Sequence, residues 1–488
     1  MKTDCRLAFA LVTALAVAGC AVNPVTKQPE LSTMSTQREA EIGAEASKVV
    51  AEQIGLVEDP ELARYVEAVG QRLAQRSPRQ DTAYHFAVAN MEVPNAFALP
   101  GGWIYLSRGL LVLTNSEAEL ANVLGHEIAH VAARHAASRE AHSIGAGLLS
   151  MMGSVVSTAT LGVGAGIGRL FQIAGAGAIA SYSRGQERQA DEIGQELAAF
   201  SGWDPKALSR FLETLEIDTE LEDEPSQLPD FLSSHPLTGD RIARSAQHAA
   251  TLTIAPGAPI AASREAFLKK LDGLLVGPDP AHGLFRGGRF LHPGLAMTID
   301  FPSGWTTHNS EQVVAAISPD EDALIALQIQ EEGNDAKTAA LRFAEAHRVA
   351  LSDERALTIA GRPAYRAVAM AQTQDGRLGF ELCWIAHRDM IFRFTGMAPA
   401  DRFGRHQAAL ARTSQSFGNL SATELASIHD LRLRVVRAQA GESLAALSRR
   451  TGNAMSLEKT AIANSLATDA VLAAGDPVKI AIKVRYAR

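Results

Sequence analysis

Apolar residues recur along this chain with two periods, and the change of period marks its organisation. Over residues 36–54 and 60–77 they return every three to four positions, which predicts two amphipathic helices. Asp59 and Pro60 supply a cap and a first-turn residue for the second. Tyr84–Ala89 reads as a strand, and Asn95–Pro100, Gly101-Gly102 and Trp103–Leu106 read as a hairpin. A long helix is predicted from Glu117, with Ser116 and Glu119 as a capping box. Ser143–Gly168 carries no charged residue and has the length of a membrane span, but its seven glycines weaken a helix. A buried or membrane-grazing helical segment is therefore expected there. Asp218–Asp230 is acidic and broken by prolines, hence a surface loop.

Beyond Ala250 the pattern changes. Residues 255–289 read as a linker with a short helix. Residues 290–420 alternate strand-like runs (Met297–Phe301, Val313–Ile317, Leu324–Ile329, Ala364–Met370, Phe380–Ile385, Met390–Phe394) with helices near 337–350 and 403–414, an α+β pattern. Residues 431–488 form a small basic module with ten Lys/Arg against four Asp/Glu.

Composition narrows the class. At 488 residues the chain has room for two to four domains, and 47% apolar with 20% charged residues is ordinary for globular protein. A net charge of −8 offers no basic excess of the kind nucleic-acid binding needs. At the N-terminus, Lys2 and Arg6 precede an apolar run, Leu7–Val17, too short to span a bilayer. It ends in Val17-Ala18-Gly19-Cys20, which resembles the lipobox of bacterial lipoproteins. That resemblance implies a signal peptide over 1–19, acylation of Cys20 and a tether over 20–34. It also implies a periplasmic protein anchored in a membrane by lipid, the outer one favoured because Ala21, not Asp, follows the cysteine. Cys5 would leave with the signal and Cys20 would be lipidated, so Cys383 stands alone, read as a core residue.

The candidate chemistry centres on His126-Glu127-Ile128-Ala129-His130. Histidines at i and i+4 share one helix face and can reach one metal ion, while Glu127 is turned about 100° away, placed to touch a water. Glu187 and Asp191 repeat the same spacing, so one carboxylate can ligate while the other orients a ligand histidine. Two histidines and one carboxylate leave an open position, as in a catalytic zinc site. His135, about 140° off the ligand face of a continuing helix, and His142 read as surface histidines.

Residues 35–250 resemble the HtpX/BepA-type gluzincin peptidases, a family that includes the CAAX prenyl endopeptidases. The matching features are Asn95–Gly102, the His-Glu-x-x-His helix, Ser183-Arg184, Glu187, Ala190-Asp191, and His235-Pro236 with Arg241. The resemblance implies a mainly helical zinc peptidase domain with a small sheet over 35–254. It implies one zinc per chain on His126, His130 and Glu187, with Asp191 behind them and Glu127 as general base. Asn95, Ala96, Phe97 and Ala98 would then form the strand that pairs with substrate, and His235 with Arg241 would stabilise the oxyanion. In some relatives the histidine instead plugs the metal. Gln189 departs from the family, which often has a second Glu there. Residues 290–420, with Phe301-Pro302-Ser303-Gly304-Trp305, resemble PsbP-like α+β domains. Residues 431–488, with Gly441-Glu442-Ser443-Leu444 and Gly475–Ile480, resemble a βααβ LysM peptidoglycan-binding module. The expected function is zinc-dependent proteolysis of unfolded or misassembled envelope proteins. A non-proteolytic chaperone on the same fold, and a peptidoglycan-tethered binding protein, are the competing readings.

Overall fold

The computed structural model describes residues 20–22, 25, 29–31, 35–135, 181–221, 231–309, 313–373 and 376–487. The signal segment, the side chain of Cys20, His142 and the uncharged stretch 143–168 lie outside the described residues. No helix among the described residues is long and apolar enough to cross a membrane.

The chain divides into two compact units, the first drawn from residues 1–148, 179–276 and 432–482 and the second from 277–431 and 483–488. In the first unit a short antiparallel strand pair, Cys20–Val22 with Pro29–Leu31, precedes α1 (Thr36–Gln53) and α2 (Pro60–Ala74), the latter capped by Asp59 through the N–H groups of Glu61 and Leu62. Three strands follow: β1 (His85–Ala89), β2 (Ala96–Leu99) and β3 (Trp103–Ser107). β3 lies between a parallel β1 and an antiparallel β2, so the expected hairpin forms with β2 on an edge of the sheet. Its turn depends on Gly101 (φ 75°) and Gly102 (φ 95°), where a Cβ would strike the backbone of α1 and of Ala83.

α3 (Arg108–Leu113) leads to α4 (Glu117–Ala132), then come α5 (Arg184–Phe200), α6 (Ala207–Leu221), α7 (Arg241–Thr251) and α8 (Arg264–Leu271). Ser116 caps α4 through Glu119 N–H as expected, but the Glu119 carboxylate bonds Asn115 N–H and the Ser116 hydroxyl, not the N–H of the cap residue. Residues 255–276 are more than a connection. Phe267, Leu268 and Leu271 are buried, and β4 (Leu275–Val276) pairs into a sheet.

The second unit holds a four-stranded sheet that includes β5 (Leu284–Arg286), β6 (Arg289–His292) and β7 (Met297–Asp300). Its larger sheet contains β8 (Thr306–Asn309), β9 (Val314–Ile317), β10 (Leu324–Glu332), β11 (Leu351–Ile359), β12 (Arg362–Thr373), β13 (Gly376–His387) and β14 (Met390–Pro399). The order is β8-β9-β10-β14-β13-β12-β11, antiparallel throughout. One face packs on α9 (Ala336–His347) through Phe343, the other on α10 (Phe403–Gln415) through Phe403 and Leu410. Cys383 is buried on that second face, as expected of a core residue.

After β15 (Gly418–Asn419) the chain enters β16 (His429–Arg437), α11 (Leu444–Thr451), α12 (Leu457–Asn464) and β17 (Pro477–Arg485). β16 lies between β17 and β4. Leu444, Leu447, Ala461, Val478 and Ile480 make a small core. Residues 432–482 belong to the first unit, where the buried Lys479 Nζ donates to Val112 O (2.7 Å) and Thr114 O (2.6 Å) at the corner between α3 and α4.

Candidate metal centre

α4 and α5 cross at two glycines. A Cβ on Gly125 would lie 2.7 Å from Gly194 O, and one on Gly194 would lie 2.7 Å from His126 N. This close approach brings the histidine pair of α4 against the carboxylate pair of α5. α5 starts at Ser183, whose side chain caps Gln186 N–H while Gln186 answers to Ser183 N–H. A short helical turn, Phe231–Ser234, delivers His235 to the same place, its ring stacked on Phe231 at 4.4 Å.

His126, His130, Glu187 and His235 are all buried, and each offers one ligand atom within 4.8 Å of the others. His126 Nε2 is 3.0 Å from His130 Nε2 and 3.1 Å from His235 Nδ1; Glu187 Oε1 is 3.0 Å from His235 Nδ1 and 3.4 Å from His130 Nε2. Zinc–nitrogen bonds of about 2.0–2.1 Å at tetrahedral angles set donors about 3.3 Å apart, so the four atoms outline a zinc-sized cage. Asp191 Oδ1 is 2.9 Å from His126 Nδ1, the outer nitrogen of that ring. Glu127 is fully buried, and neither of its oxygens has a hydrogen-bond partner among the described residues. Two orphaned carboxylate oxygens beside such a cage leave room for a water to satisfy them.

Burial pushes the Glu127 carboxyl above its ordinary range. Burial also opposes charge on Glu187, but His235 and hydrogen bonds from His130 and His235 outweigh it and hold that carboxyl well below the usual range. Asp191 is likewise held low: burial is the largest influence, and Arg241 with its bidentate contact overcomes it.

One expectation needs correction, and one residue is held by partners that the sequence did not suggest. Arg241 is buried against the two carboxylates of α5. Its Nε and Nη2 grip Asp191 at 2.8 Å each, and Nη1 reaches Glu187 Oε2 (2.7 Å) and His235 O (3.0 Å). His135 is not a surface histidine. It is buried, with Nδ1 2.9 Å from His130 Nδ1 and Nε2 2.9 Å from Gln189 Oε1. Sequence reasoning also passed over Tyr182, whose ring lies 3.7 Å from that of His130. Along β2, Ala96 is buried while Phe97 and Ala98 are partly exposed. Asn95 is buried and bonded to Ser107. A small pocket beside the strand is lined by Ala98, Leu99, His130 and Tyr182 among others.

A helix bearing two histidines and a glutamate, crossed by one bearing a carboxylate pair, is the arrangement of a gluzincin-type metallopeptidase. Residues 60–248 match the model of Peptidase family M48, whose members use zinc. A beta-barrel assembly-enhancing protease from Yersinia pestis is 34% identical over 215 residues, 43% of this chain and 44% of that protein. Its namesake from Escherichia coli K12 is 29% identical over 58% of this chain and 55% of its own. The mitochondrial metalloendopeptidase OMA1 of Schizosaccharomyces pombe is 28% identical over 45% and 63%. The chain thus spans about half the length of the first two relatives. Among solved structures, cyanobacterial PsbP from Synechocystis aligns with 28% of this chain and 95% of its own, at 15% identity and a TM-score of 0.24.

Proposed function

We propose that the chain is a zinc-dependent endopeptidase of the bacterial envelope, acting in the periplasm on unfolded or misassembled envelope proteins. The observation that carries this reading is the buried cage of His126, His130, Glu187 and His235 beside Glu127, whose carboxylate accepts no hydrogen bond among the described residues and lies 3.6 Å from His235 Nε2. Zinc, when bound, supplies Lewis acidity, making water reactive near neutral pH and polarising a carbonyl oxygen. Glu127 takes the proton of the attacking water and returns it to the leaving nitrogen. Asp191, itself gripped by Arg241, holds His126 with Nε2 facing the cage. The edge of β2 pairs with an extended substrate. Glu127→Gln should retain one zinc per chain and the parent melting curve while losing peptide hydrolysis; hydrolysis at the parent rate would overturn the assignment.

In the resting protein His235 occupies the fourth corner of the cage, a reading supported by its Nδ1 lying 3.0–3.1 Å from Glu187 Oε1 and His126 Nε2. Anchorage through a lipid on Cys20, in the outer membrane, rests on the Val-Ala-Gly-Cys sequence. Cys20→Ser should shift the protein from the membrane fraction or leave it unprocessed, and mass spectrometry of the mature N-terminus reads the outcome. The PsbP-like reading of 290–420 rests on its sequence, and the LysM-like reading of 431–488 is supported by the order β16-α11-α12-β17. Peptidoglycan binding by the latter is testable with cell-wall sacculi and the full chain.

A further inference from the structure

Histidine has two ring nitrogens, and a neutral imidazole carries a proton on only one. His130 turns Nε2 toward the cage, 3.0 Å from His126 Nε2 and 3.4 Å from Glu187 Oε1. To offer that lone pair it must carry its proton on Nδ1, and the group facing Nδ1 at 2.9 Å is His135 Nδ1. One of two nitrogens at that distance donates and the other accepts. What decides between them lies one link further out. Gln189 Oε1, 2.9 Å from His135 Nε2, is an acceptor that cannot donate, so His135 carries its proton on Nε2 and presents a bare Nδ1. The polarity then runs one way, from His130 Nδ1–H to His135 Nδ1 and from His135 Nε2–H to Gln189 Oε1.

The backbone explains how His135 reaches this position. α4 ends at Ala132, and Arg134 takes a left-handed conformation (φ 55°) that turns the chain back, so that His135 N–H donates to His130 O at 3.0 Å. The two rings meet edge to face, 4.9 Å apart at 73°. A non-glycine residue with positive φ carries strain, and here it is spent on bringing one imidazole beneath another.

We propose that His135 and Gln189 are a positioning pair that fixes the tautomer and ring orientation of His130. The two histidines of α4 are therefore braced by different chemistry, His126 by the Asp191 carboxylate and His130 by a neutral imidazole backed by an amide. This rests on the reading of His130 as a metal ligand.

The test is zinc affinity of the full chain, measured by chelator competition, with melting of the metal-free protein as a check on folding. His135→Phe fills the space without an acceptor and should weaken zinc 10- to 100-fold, the usual cost of losing such a partner. His135→Asn can present a side-chain oxygen to His130 Nδ1–H and should stay within a few-fold of the parent. A role in packing alone predicts the reverse order, so affinity kept in His135→Phe and lost in His135→Asn would overturn the proposal. Gln189→Met removes the outer acceptor at a half-exposed position and should also weaken zinc; it carries the test should His135→Phe not fold, and parent affinity there would count against the pair. His130→Ala separates the two readings. If it keeps full zinc affinity, the ligand assignment itself fails; if it loses zinc while His135→Phe and Gln189→Met do not, only the positioning pair fails.

Discussion

His235 carries the sharpest question at the residue scale, because its two roles predict opposite signs. As an oxyanion stabiliser its loss should cost on the order of a hundredfold in rate. As the fourth donor of a closed cage its loss should open the site and raise basal hydrolysis. The distances of 3.0 and 3.1 Å from its Nδ1 to Glu187 and His126 favour the closed cage, so His235→Ala with full zinc content is expected to show higher basal turnover of an unfolded substrate. A uniformly lower rate would return His235 to the oxyanion. The inner residues were legible because each pair, His126 with His130 and Glu187 with Asp191, is one helical turn apart and needs only helix geometry to be seen. His135 was not legible in the same way. Its place depends on where α4 stops and on a left-handed Arg134, and extending the helix by three residues puts it on the wrong face. Arg241 was visible as a charged residue near the site, but its bidentate grip on Asp191 is a tertiary contact across 50 residues.

At the scale of elements, the metal site is the crossing of α4 and α5. The neighbours a Cβ on Gly194 would meet, at 2.7–2.9 Å, are all backbone atoms of Gly125 and His126, which no rotamer change can move aside. Gly194→Ala must therefore push the helices apart, costing about 1–3 kcal/mol as overpacking does. It should also weaken zinc, because Glu187 and Asp191 would retreat together from His126. Melting with and without zinc, compared with the parent, should show a lower metal-free midpoint and a smaller rise on adding metal. Neither glycine stands out in the sequence, since nothing local says that two helices touch there. Strands followed the same logic. Runs such as Phe380–Ile385 and Met390–Phe394 were found from their apolar residues, and the true strands extend beyond them. β11 was missed because it is an edge strand whose Ser352–Ala356 are exposed, including Asp353, Glu354 and Arg355; such charged edges resist pairing with other chains and look like loops.

At the scale of the whole molecule, the C-terminal segment braces the root of the metal-binding helix. Lys479 is fully buried, and burial pushes its ammonium down to about 7 from 10.5, with Arg264 adding to the fall and Glu119 opposing it. Between those values the unfolded chain holds the proton and the folded chain releases it, so stability rises with pH across about 7 to 10.5 and is lowest below 7. Lys479→Met should remove a slope of at most about 1.4 kcal/mol per pH unit. The difference between the two thermal midpoints should therefore change between pH 7 and 10, the parent gaining on the variant as pH rises. An equal gap at both would show that Lys479 does not titrate in that range. Nothing in the basic pattern of 431–488 signals this role, which rests on one lysine meeting the carbonyls of Val112 and Thr114. The contact spans 367 residues, and that separation orders events in time. A ribosome delivers α4 long before β17, so a nascent chain holds its histidines without the strand that steadies their helix. The brace on α4 therefore forms only once residues 477–485 have been made, and a chain halted before them holds the paired histidines without it.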